Sequence, residues 1–390
     1  MTRPIGYFVH HQGRGHAERA AAIVNALPSD RPVVLFSARA DIFPPLASNV
    51  TIRTIPSLFE VTGDEPIGLA NVRTPSSLHC APLGWKSITH AVATIATWFD
   101  AARPALFVTD VSAELALLAR IASVPCVSVL QHGDRSDAGH MAAYESALGI
   151  LAPYSAALEQ PGRPDWMLAK THYAPGVGVE IDSIDRRAAR AALGLPLDAE
   201  IVVVVAGGGG NGTPATPLTL GARAEPDTLW LTIGAVEQEW HATAPGNLRH
   251  LGWVDTPALY IAAADRVVSS AGNTTVHMIA AIGRPWIVVP EWRYFDEQLW
   301  KARTLDQAGA ATMLEHWPSH AGAWMDAWTR AATLDLSRQH ALYAADAARD
   351  AASWLAKVAD DAWAQPVVAL PPDPAPASTQ FAPSTHHAKA

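Results

Sequence analysis

The stretch Ala264-Asp-Arg-Val-Val-Ser-Ser-Ala-Gly-Asn-Thr-Thr-Val-His-Met-Ile-Ala-Ala-Ile-Gly-Arg-Pro-Trp-Ile-Val-Val-Pro290 decides the fold. It opens with a short apolar strand ending at Ser269 or Ser270. Gly272 makes a turn, Asn273 caps a helix, and Thr274 and Thr275 occupy its first turn. A second apolar strand, Pro285–Val289, follows. Strand, helix and strand in this order give a parallel βαβ unit. The free amides that open such a helix, reinforced by its dipole, favour an anion beyond the strand end, here a diphosphate.

The same alternation extends in both directions. Ile201–Ala206 is a valine-rich strand that runs into Gly207-Gly-Gly-Gly-Asn-Gly212. Amides of Gly207, Gly208 and Gly209 can cradle phosphate oxygens; a plain mobile loop is the alternative reading. Further strands are expected at Leu229–Ile233 and Arg249–Leu251. Asp185–Leu193 reads as a linking helix closed by Gly194 and Pro196. In the first half, strands are expected at Ile5–His10, Pro32–Phe36, Thr51–Ile55, Ala105–Thr109 and Pro125–Leu130. A helix follows the first strand, with Ala20, Ile23, Val24 and Leu27 on one face. The fold class is therefore α/β, with domains expected at 1–178 and 179–364. Arg338–Ala364 reads as one long helix. The tail 365–390 is rich in Pro, Ala and Ser, cannot bury a core, and is expected to be disordered.

The chain has 390 residues and a formal net charge of −9, which argues against nucleic acid as a partner. Cys80 and Cys126 stand outside any metal-ligand spacing, so no metal site is expected and a reducing compartment fits. The N-terminus shows no signal peptide, and no apolar run nears the roughly 20 residues of a membrane helix. A cytoplasmic place is expected.

Two features of the first half carry chemistry. Gly13-x-Gly15-His16 lies at the carboxyl end of the first strand, where open α/β sheets bind ligands. The glycines admit a ligand close to the main chain, and the imidazole of His16 can accept a proton near neutral pH. A dinucleotide phosphate loop is the rival reading, but Glu18 stands where the third glycine belongs. Asp110, at the end of its strand, can hold the His16 ring; capping the following helix is its other reading. On the far side of the chain, Pro290-Glu-Trp-Arg-Tyr-Phe-Asp-Glu-Gln298 ends in Glu297-Gln298, which can hydrogen-bond sugar hydroxyls.

These residues resemble the inverting GT-B glycosyltransferases, most closely the family 28 group and the natural-product enzymes. The resemblance rests on Gly13–His16, Gly252-Trp253-Val254, Gly272–His277, Gly283-Arg-Pro285, Pro290, Glu297-Gln298 and Gly309-Ala310. It implies two Rossmann-like domains facing across a cleft, and transfer of a hexose-type sugar from a UDP- or dTDP-sugar to a hydroxyl without a cofactor. By the resemblance, His16 is the general base and Asp110 its partner. Gly13, Gly15, Gly207, Gly208, Gly209, Ser270, Gly272, Asn273, Thr274 and Thr275 belong to the donor site. Val254 meets the nucleobase, His277 the ribose, and Glu297 and Gln298 the sugar. The closing helix returns to the first domain. Lipid-linked or cell-envelope acceptors, and contact with the inner face of a membrane, are implied in the same way. His277 departs from the family, which carries Glu there, and Lys301 stands where Asn is usual. A nucleotide-sugar epimerase or hydrolase, a non-catalytic binder and a nicotinamide dehydrogenase remain alternatives.

Overall fold

The computed structural model describes residues 2–183, 185–207, 212–237, 243 and 245–364. Gly208 and Gly209 lie outside the described residues, as does the tail 365–390. The first sheet contains β1 (Ile5–Phe8), β2 (Val33–Ser37), β3 (Val50–Thr54), β4 (Leu106–Asp110), β5 (Cys126–Val129), β6 (Gly149–Ala152) and β7 (Thr171–Tyr173). Their order is β3-β2-β1-β4-β5-β6-β7, with every pairing parallel. The second contains β8 (Glu200–Val205), β9 (Thr228–Ile233), β10 (Leu248–His250), β11 (Arg266–Ser269), β12 (Trp286–Val288) and β13 (Thr312–Met313). It is also parallel, in the order β10-β9-β8-β11-β12-β13. The central strands are continuous apolar runs because helices cover both faces of each sheet.

Strand order reverses between β1 and β4 in one sheet, and between β8 and β11 in the other. Such switch points leave a crevice at the carboxyl ends of the strands. His16 and Asp110 follow the first pair; Gly207 and Ser270 follow the second. The fold thereby brings motifs separated along the chain to the two sites where each sheet can hold a ligand.

The helices that place the site are α1 (Arg14–Asn25), α2 (Lys86–Ala102), α3 (Ala113–Ile121), α4 (Ala138–Ser146), α5 (Arg186–Leu193), α6 (Asn273–Ile282), α7 (Glu297–Gln307), α8 (Leu336–His340) and α9 (Ala347–Ala364). The long helix expected over Arg338–Ala364 is two helices. Between them the chain crosses the link joining the domains, where the Ala344 amide donates to Pro175 O (2.9 Å) and Tyr343 Oη to Val179 O (3.1 Å). After that crossing α9 buries Ala351, Ala352, Leu355 and Ala359 in the core of the first domain, beside Ile5, Val24 and Val33. Tethering within the second half is separate: α5 is capped by Asp185, and Arg190 on it reaches Asp265 beside β11 (2.5 Å).

Candidate active site

Gly13 precedes α1 with φ 90°, a conformation that side chains other than glycine's seldom adopt. The turn sets His16 in the first turn of α1, above the end of β1. Next to β1, β4 ends at Asp110, which has no exposed surface. Val111 then takes a left-handed φ of 57°, and Ser112 caps α3 by accepting from the Leu115 amide (3.3 Å). The cap therefore falls to Ser112, and Asp110 is turned toward α1. His16 Nδ1 lies 3.2 Å from Asp110 Oδ1.

Arg19, one turn along α1 and also buried, completes this group. Its Nη2 donates to both Asp110 oxygens at 2.7 Å and stands 3.0 Å from His16 Nδ1. Arg19 has no acceptor, so its contact with His16 is a hydrogen bond in the tautomer whose Nδ1 is unprotonated and accepts. In the other tautomer Nδ1 carries the proton and donates it to Asp110 Oδ1, and that form leaves the lone pair on Nε2. Burial opposes the Asp110 charge, but Arg19 and His16 outweigh it and hold the carboxyl well below the usual carboxylate range. Burial and the same carboxylate push the Tyr7 phenol up. His10 is a structural neighbour, stacked on Phe59 with centroids 4.6 Å apart and pushed down by burial to about 3.

Across the cleft, Gly272 precedes α6, and no side chain caps the helix. Its first amides are left for another acceptor. Ser270 Oγ is buried without a partner among the described residues, and a Cβ on Gly207 would meet it at 3.3 Å. A Cβ on Gly15 would stand 3.0 Å from Thr274 Oγ1, so the His16 loop and the opening of α6 face each other across a narrow gap. Asn273 bridges the domains through Nδ2, which donates to Pro153 O (3.0 Å), while its Oδ1 accepts from Lys301 Nζ (2.9 Å). Lys301 is buried, which lowers its ammonium to about 8 despite the nearby Glu297; Arg19 and Arg135 push the same way.

The remaining expected residues fall in different surroundings. Glu297 stands between Arg135 (3.6 Å) and Lys301 (3.9 Å). Gln298 Oε1 accepts from the amides of Ala271 and Glu291, both at 3.0 Å, so it ties together the loops that follow β11 and β12. Val254 packs against the core of the second domain. His277 is 1% exposed with neither ring nitrogen bonded among the described residues, and burial, followed by Lys301 and Arg19, pushes it down to about 3. The α6 side chains that line the adjoining cavity of about 1120 Å³ are instead Thr274, Met278 and their continuation at Ala281 and Ile282. One residue of helical rotation separates His277 from that wall.

Residues 235–323 match the glycosyltransferase family 28 C-terminal domain. The chain has the GT-B fold, and a stretch of its second domain is similar to the family 28 C-terminal domain. Over 131 residues it is 30% identical to the UDP-N-acetylglucosamine–N-acetylmuramyl-(pentapeptide) pyrophosphoryl-undecaprenol N-acetylglucosamine transferase of Yersinia pseudotuberculosis. That match takes in 32% of this chain and 37% of the relative's length. Spinosyn rhamnosyltransferase SpnG, solved with thymidine diphosphate, superposes with TM-score 0.58 at 18% identity, covering 90% of this chain and 96% of that one. MurG of Acinetobacter baumannii gives 0.56 at 14% identity, over 91% and 99%. At such identities the two structures speak for the GT-B fold.

Within this GT-B frame, Arg19, Arg135 and Met278 are the cleft residues that motif reading missed. Arg19 left a trace in the sequence, as a charge on a helix face otherwise made of Ala, Ile and Val. Arg135 left none, because it reaches the cleft only through the contact of its loop with the second domain, where the Asp134 amide donates to Phe295 O (2.7 Å).

Proposed function

We propose that the chain is a glycosyltransferase that moves a hexose-type sugar from a UDP- or dTDP-type donor to an acceptor hydroxyl, with inversion and without a metal. The approach of Gly15 to Thr274 carries this reading, since it sets the His16–Asp110 pair against the free amides of α6. The acceptor hydroxyl gives its proton to His16 Nε2 as its oxygen bonds to the anomeric carbon. The bond from that carbon to the diphosphate oxygen breaks on the opposite face, and its electron pair leaves with the diphosphate. That charge is met by the first α6 amides, Ser270 Oγ and the Lys301 ammonium, while Asp110 balances the imidazolium. The nucleoside takes the cavity of about 1120 Å³ beside Thr274 and Met278.

The relatives' names support the substrates: one is named for a UDP-sugar and an undecaprenol-linked acceptor, and the other was solved with thymidine diphosphate. A lipid-linked acceptor, met from the cytoplasmic face of a membrane, is the extension of this reading. Among the described residues, no helix is long and apolar enough to cross one.

The test is turnover of His16→Ala on a UDP- or dTDP-sugar. Its rate is expected to fall about 10²–10⁴-fold, while nucleoside diphosphates still raise the melting temperature. Near-normal turnover would remove His16 as the base. Protein stripped with a chelator is expected to keep its transfer rate; a loss restored by added metal would overturn metal independence.

A further inference from the structure

We infer that the protein also binds one divalent cation of the zinc class at His79, Asp137 and His140, none of which takes part in the proposed transfer. His79 lies on the loop before α2, while Asp137 and His140 open α4. One donor atom from each lies within 4.8 Å of the others. Asp137 Oδ2 is 2.5 Å from His140 Nδ1 and 3.8 Å from His79 Nδ1. The two imidazoles are tilted against each other with centroids 4.0 Å apart. Two imidazoles and a carboxylate form a donor set found in three-ligand zinc sites, which keep a fourth position for water or a ligand. Mixed nitrogen and oxygen donors disfavour calcium and magnesium, which are held by oxygen.

The surroundings aim each donor. Asp137 Oδ1 accepts from the His140 amide (3.1 Å) as the cap of α4, which orients Oδ2 toward the rings. Glu114 Oε1 accepts from the amides of His79 (3.0 Å) and Cys80 (2.6 Å) and pins their loop. Gly139 lets that loop lie directly on α4, because a Cβ there would overlap the backbone of Leu78 and His79. Phe295 of the second domain closes one side, 5.1 Å from the His79 ring and 5.3 Å from that of His140. His140 is buried and His79 half-buried, so a cation would be partly shielded from water. At 2.5 Å, Asp137 and His140 are joined through a proton. A cation with bonds of about 2.0–2.2 Å replaces that proton; four-coordinate geometry sets donors roughly 3.4 Å apart, so Asp137 and His140 part and His79 moves inward.

The experiment uses the full chain carrying His386→Ala and His387→Ala, since that histidine pair near the C-terminus is a second metal-binding sequence. The chelator-treated protein is titrated with Zn²⁺ by calorimetry and with Co²⁺ by visible absorption. One equivalent is expected, with the intense bands of four-coordinate cobalt and a higher melting temperature. His79→Ala, on a loop and half-buried, is expected to keep the fold and lose more than about 100-fold in affinity. Asp137→Asn, which retains an oxygen to cap α4, is expected to weaken binding as well. Absence of saturable binding, or unchanged affinity in folded His79→Ala, would overturn the site. Because the readout is metal binding, its failure is separate from any failure of the proposed transfer.

Discussion

Asp110 serves both His16 and Arg19, and the salt bridge to Arg19 sets how it can be tested. Removing one partner of a buried pair strands the other charge, which costs about 3–5 kcal/mol. Asp110→Asn is therefore expected to destabilise the protein by about that amount in urea unfolding, in addition to slowing transfer. Arg19→Met combined with Asp110→Asn removes both charges and is expected to recover most of the stability without recovering the rate. A double variant no more stable than Asp110→Asn alone would show that the pair is not the source of the cost. Asp110 was legible as a partner of His16 because it ends a strand at the sheet's switch point. Arg19 was not identified: only the fold shows that its helix face turns to β4, although an arginine on an apolar face is seldom buried without a partner.

At the scale of elements, the parts that follow local rules were readable and the parts set by tertiary contact were not. The strands flanking the glycine turns fall within a residue or two of their expected bounds, because valine-rich runs ended by glycine leave little choice. The strands β6 and β7 and the 17-residue helix α2 were not placed. β6 is apolar but only four residues long and β7 only three, so both gain their identity from neighbours in the sheet order. Within α6 the fold turns His277 into the core and Met278 onto the cavity wall, a rotation about the axis that the sequence alone leaves open. The split between α8 and α9 likewise comes from the chain's grip on Pro175 and Val179. Since α9 completes the first domain's core, Leu355→Ala is expected to cost about 2–5 kcal/mol in that domain, although the residue lies at the far end of the sequence. Unfolding of the variant should show it; a loss under about 1 kcal/mol would mean that α9 is only loosely docked.

For the molecule as a whole, composition conceals the charge that matters. The chain is acidic overall, yet Arg19 from the first domain and Lys301 from the second both bear on buried His277. Desolvation and those two cations keep His277 neutral in the fold down to about pH 3, and burial likewise holds His132 well below the usual imidazole value. In the unfolded chain both rings take up protons below about pH 6.5. The unfolded state therefore binds more protons as pH falls through this window, and folding stability is lost from about pH 6.5 toward 3. For His277 alone the loss reaches roughly 2–3 kcal/mol by about pH 4.5. Urea midpoints measured from pH 7 to 4.5 are expected to fall steeply, and His277→Leu should make the slope shallower by about one proton. Parallel curves for the two proteins would show that His277 is not held neutral, and that the cations from the two domains do not meet at it.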